Sequence, residues 1–156
     1  MRLGGERPML DARRPLELAG PWAVNLFVYG TLRRSPAHSM HVLLRETATP
    51  LGDARVRGVL HRVADYPGLV LDAAAGWVLG ELYALRDLDV LARLDAYEGA
   101  SPHDPEPREY RRIRTVVQRH DRQDVDAWVY EYAWPTAGLP IIATGDFLRQ
   151  GQDRWA

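Results

Sequence analysis

Apolar, β-branched and aromatic residues alternate with polar ones through Val24-Asn25-Leu26-Phe27-Val28-Tyr29, which reads as a buried strand running into a Gly30-Thr31 turn. Similar patterning predicts further strands over residues 54–62, 69–72, 77–85, 110–119 and 126–134, the last two joined by a polar turn. Tyr66-Pro67-Gly68 has turn chemistry: Pro fixes one φ and Gly supplies a permissive one. A short helix is predicted over residues 37–45. A clearer one carries Leu88, Leu91 and Leu94 at helical spacing, with Asp87 at its N-cap and Gly99 at its stop. Residues 138–156 show no decisive period. Mostly strands with one clear helix between them reads as α+β, a sheet curled into a barrel. On the last strand Trp128, Tyr130, Tyr132 and Trp134 share one face, as an aromatic cluster sealing the core or as the apolar wall of a ligand site.

Composition narrows the function classes. At 156 residues the chain fits one core; residues 1–21, rich in Arg, Gly and Pro, read as a flexible arm before a domain over residues 22–156. With 20 basic and 21 acidic side chains the net charge is −1, which gives no reason to expect a nucleic-acid or membrane partner. There is no signal-peptide pattern and no apolar run of spanning length, so a cytoplasmic location is the expectation. Cysteine is absent, which removes thiolate nucleophiles and disulfides. Every basic residue is arginine, so Schiff-base chemistry and a phosphate-loop lysine are excluded as well.

The familiar catalytic patterns are missing too. None of the three serines sits in a G-x-S-x-G elbow, and no G-x-G-x-x-G occurs. His38 and His41 can share a helix face but lack a third ligand, and His61, His103 and His120 read as exposed or loop residues. Carboxylates and backbone groups remain. At Tyr29-Gly30-Thr31-Leu32, a Gly after a buried strand lets successive N–H groups converge as a nest for a carboxylate or oxyanion; the plainer reading is a hairpin turn. At Asp95-Ala96-Tyr97-Glu98-Gly99, the negative helix end and Asp95 one turn earlier both push the Glu98 pKa upward, as acid–base work near neutrality requires. A solvated glutamate at a helix end is the alternative. The Pro-rich stretch 100–107 then lies where a lid over Glu98 would sit.

Six pieces in this order resemble the γ-glutamylcyclotransferase-like superfamily: Tyr29-Gly30-Thr31-Leu32-Arg33, Tyr66-Pro67-Gly68-Leu69, Gly80-Glu81-Leu82-Tyr83, Leu94-Asp95-Ala96-Tyr97-Glu98-Gly99, Tyr110-Arg111-Arg112 and Thr144-Gly145-Asp146-Phe147. The resemblance implies a small mixed β-barrel with flanking helices and an intramolecular reaction. The α-amine of a γ-glutamyl substrate attacks its own γ-amide carbonyl, giving 5-oxoproline and a released amine or amino acid. It further implies that Tyr29, Gly30, Thr31 and Leu32 hold the substrate carboxylate or oxyanion through backbone N–H groups. Glu98 is then the acid–base residue, with Glu81 its main competitor, and Tyr110 lines the pocket, displaced along the chain by the Pro-rich insertion. The partner implied is a small γ-glutamyl molecule, with no metal or cofactor. Tyr-Gly-Thr-Leu is closer to the γ-glutamylamine cyclotransferase and avirulence-induced-gene-like branch than to the glutathione-specific one. The competing readings are a non-catalytic metabolite-binding protein of the same fold and an interaction module using the Trp128/Tyr130/Tyr132/Trp134 face.

Overall fold

A computed structural model describes residues 24–30, 39–86 and 88–149. The predicted N-terminal arm, Thr31, Leu32, His38 and the N-cap Asp87 lie outside the described residues. The elements run β1 (Val24–Val28), α1 (Ser39–Thr47), β2 (Ala48–Arg62), β3 (Pro67–Leu71), β4 (Trp77–Leu85), α2 (Leu88–Glu98), β5 (Tyr110–Arg119) and β6 (Asp124–Tyr132), then a short 3-10 turn at Phe147–Arg149. The sheet order is β3-β2-β4-β1-β6-β5. Pairing of β2 with β5 through Ala54↔Arg119 and Arg55↔Gln118 closes five of these strands into a barrel. β3 extends β2 outside that ring, from Gly58↔Leu71 to Arg62↔Pro67. The barrel is mixed because β1 runs parallel to β6 and antiparallel to β4.

Strand alternation sorts the apolar residues into two cores. Phe27, Tyr29, Leu82, Val117, Ala127 and Val129 belong to one that includes no helical residue, so it fills the barrel. Val24, Leu26, Val28, Tyr83, Leu85 and Tyr130 belong to the other, packed with Leu43 and Leu44 of α1 and Val90, Leu91 and Leu94 of α2. Burying such a side chain contributes about 1.5–3 kcal/mol, so both helices are held by the barrel's outer face. Leu88 does not join the predicted stripe: it is 51% exposed, and Val90 takes the inward position at the start of α2. Gly99, with φ +70°, ends that helix as expected.

Several boundaries move. The strand predicted over 54–62 begins at Ala48, because a register irregularity between Pro50 and Gly52 lets a segment with turn-like residues stay paired with β4. The helix predicted over 37–45 is Ser39–Thr47, and the last strand ends at Tyr132, two residues before Trp134. His61, read as exposed, is buried on β2. Gly68 lies in β3 and has no positive φ; glycine is required there because a Cβ would stand 2.7 Å from the Tyr132 ring. Among the described residues, no helix is long and apolar enough to cross a membrane.

Candidate active site

The end of β1, the β2–β3 turn, the last turn of α2 and the start of β5 meet around a cavity of about 460 Å³. Its described lining includes Tyr29, Gly30, Tyr66, Pro67, Glu98 and Tyr110, together with Asp65, Tyr97, Glu109 and Tyr130. Four of the six sequence-predicted site residues, Tyr29, Gly30, Glu98 and Tyr110, therefore share one cavity; Thr31 and Leu32 fall outside the described residues. Gly30 has no positive φ, and a Cβ there would sit 2.9 Å from the Pro67 ring, so its role in the fold is close approach to the β2–β3 turn.

Glu98 is the last residue of α2, half-buried, with no hydrogen-bond or ion-pair partner among the described residues. Burial raises its carboxyl from the ordinary 4.5 to about 7, and the charge of Glu109 adds to the rise. The direction matches expectation, but the cause differs. Asp95, expected to contribute by repulsion, is spent elsewhere: Arg112 donates to its two oxygens at 2.7 and 3.1 Å, and Tyr130 Oη donates at 2.8 Å. The same network fixes the last turn of α2 on β5 and β6, and so aims Glu98.

The tyrosines form walls and struts. Tyr29 Oη donates to the Tyr130 carbonyl and accepts from the Leu69 N–H at 3.2 Å, tying β1 to β6 and β3. Tyr110 Oη donates to the Pro67 carbonyl at 2.6 Å, and its ring packs edge-on against Tyr132. Burial pushes both phenols well above their usual range, so they stay neutral donors. Despite the insertion before it, Tyr110 reaches the cavity.

Glu81, the competing carboxylate, is buried on β4, where Tyr83 Oη donates to it at 3.1 Å; it does not line the Glu98 cavity. No residue of the 100–107 loop lines it either. That loop is tied to itself and to the end of β6: the Asp104 carboxylate accepts from the Ser101 N–H, and Trp134 Nε1 donates to the Pro107 carbonyl at 3.0 Å. The aromatic face of β6 is mostly sealed. Tyr130 and Tyr132 are buried, Trp128 lies under the Arg112 guanidinium, and only Trp134 stands open, at 42%.

Sequence reasoning missed Glu109, Tyr66 and Asp65 as lining residues. The sequence marks Tyr66 as turn chemistry and as part of the Tyr66-Pro67-Gly68-Leu69 resemblance, without a place in the site. Glu109 offers one signal in the sequence, its place directly before Tyr110 at the start of a strand.

The family model for γ-glutamyl cyclotransferase, AIG2-like, matches residues 26–149. The γ-glutamylcyclotransferase family protein YtfP of Escherichia coli K12 is 32% identical over 131 residues, covering 80% of this chain and 96% of YtfP. The solution structure of E. coli YtfP superposes with a TM-score of 0.57, covering 83% of this chain and all of that one, at 32% identity. The crystal structure of a mouse AIG2-like protein gives 0.61 at 27% identity, covering 76% and 85% of the two chains.

Proposed function

Because the chain belongs to the γ-glutamyl cyclotransferase, AIG2-like family, we propose that it converts a γ-glutamyl amine or peptide into 5-oxoproline with Glu98 as the acid–base residue. The observation that carries this reading is a carboxylate in a cavity, without a hydrogen-bond or ion-pair partner among the described residues and with its pKa raised to about 7. Glu98 takes a proton from the substrate's α-ammonium, and the freed amine attacks the γ-carbonyl carbon. The new C–N bond makes a tetrahedral oxyanion, for which the N–H groups of residues 30–32 are the candidate donors. Glu98 then passes a proton to the leaving nitrogen before the old C–N bond breaks. Two protons leave the attacking nitrogen in all, and two end on the amine, which departs as an ammonium ion.

Nucleophile and electrophile are in one molecule, so the cavity has only to fold the substrate into a near-attack ring. One positioned carboxylate contributes roughly 10²–10⁴-fold, and oriented donors add to it. The test is 5-oxoproline formation by the purified chain from a γ-glutamyl amine, a γ-glutamyl dipeptide and glutathione. At least one should turn over, and Glu98→Gln should cut kcat about a hundredfold or more, while Glu81→Gln retains activity. No 5-oxoproline from any of the three, or normal turnover by Glu98→Gln, overturns the proposal.

A further inference from the structure

Glu109 faces the same cavity as Glu98 and is fixed at both ends. Its backbone carbonyl accepts from the Ala133 N–H at 2.7 Å, and its Oε2 accepts from Tyr66 Oη at 2.6 Å. Tyr66 is a permanent donor in this pair, since bonding to Glu109 and burial push its phenol up to about 12. One oxygen, Oε1, is left without a hydrogen-bond partner among the described residues. No arginine or histidine appears in the cavity's described lining to neutralise either carboxylate. Placing a second carboxylate across the cavity from Glu98 costs free energy in the empty protein, because the charge of Glu109 disfavours ionisation of Glu98. A cation entering between them removes that cost.

We infer that Glu109, held by Tyr66, binds the α-ammonium group of the substrate and keeps the attacking nitrogen in place while Glu98 handles the protons. The inference rests on the cyclotransferase reading. It assigns the two carboxylates different work: Glu98, without a hydrogen-bond partner among the described residues, can turn from the attacking to the leaving nitrogen, whereas Glu109 is clamped by Tyr66 and suits a fixed contact.

The probes are L-glutamine, a γ-glutamyl amide, and glutaramate, the same molecule without the α-amine. Dissociation constants are measured by NMR at pH 8, above the Glu98 pKa, for the wild type, Glu109→Gln and Tyr66→Phe. Gln at 109 can still accept from Tyr66, which preserves the fold. Losing a charged contact should weaken L-glutamine roughly tenfold or more in Glu109→Gln, leave glutaramate within about twofold, and weaken L-glutamine less in Tyr66→Phe. Equal weakening of both probes, unchanged L-glutamine affinity, or no binding of L-glutamine by the wild type overturns the inference. Glu109-dependent binding of L-glutamine without 5-oxoproline formation from any γ-glutamyl compound overturns the cyclotransferase reading alone. Turnover with glutamine affinity indifferent to Glu109 overturns this inference alone.

Discussion

A glutamate that titrates near 7 in the folded protein and near 4.5 in the unfolded chain links activity and stability to pH in opposite directions. In the proposed reaction Glu98 acts as a base and must be ionised, so kcat/KM is expected to fall about tenfold per pH unit below 7. Stability runs the other way. Between the two pKa values the folded state holds the extra proton; the contribution is therefore complete below 4.5 and lost as pH rises through 7. Glu98→Gln cannot ionise and escapes that loss. It should be more stable than the wild type by about 1–3 kcal/mol at pH 8, a range reduced for the partial exposure of the group, with the difference vanishing below pH 4.5. Urea unfolding at the two pH values measures this. A variant no more stable at pH 8 than at pH 4 relative to wild type would show that Glu98 is not strained by burial.

The end of α2 shows what single-element reasoning can and cannot supply. Leu91, Leu94 and Gly99 were enough to place the helix and its stop, because periodicity and a left-handed C-terminal glycine are local properties. The work of Asp95 was not legible, since its partners Arg112 and Tyr130 lie on strands whose register across the barrel no local pattern encodes. The same holds for Gly68, whose need for glycine comes from Tyr132, and for Glu109, which meets Glu98 only once β5 is docked. From helix-end electrostatics alone, Asp95→Asn would be mild. With Asp95 buried and bonded to two partners, Asp95→Ala is expected to cost about 2–3 kcal/mol, because Arg112 and Tyr130 are left unpaired beside the core. It should also lower kcat at temperatures where the variant is fully folded, by loosening the turn that carries Glu98. Thermal unfolding and a kcat measurement at 10 °C check the two parts separately.

The two cores lie on opposite faces of one closed sheet, so the molecule should unfold as a unit; both reach the cavity, through Tyr29 and through Tyr110 and Tyr130, but only the outer core seats the helix that carries Glu98. Val78 is fully buried inside the barrel, opposite Val56 of β2. Leu94 is fully buried outside it, one helical turn before Glu98. Truncating a buried leucine removes more volume than truncating a valine, so Leu94→Ala should cost about 3 kcal/mol and Val78→Ala about 2. In both variants tryptophan fluorescence and far-UV circular dichroism should report one coincident transition in denaturant, since β4 is paired to β1 and to β2 and no strand of the ring unfolds alone. Catalysis should separate them. The barrel-interior variant keeps α2 seated and should retain kcat within about twofold at 10 °C, whereas Leu94→Ala frees the last turn of α2 and should lose about tenfold or more, as small misplacements of a catalytic group do. Equal loss of kcat in the two variants would mean that activity follows overall stability, and that the seating of α2 on the barrel's outer face does not set the position of Glu98.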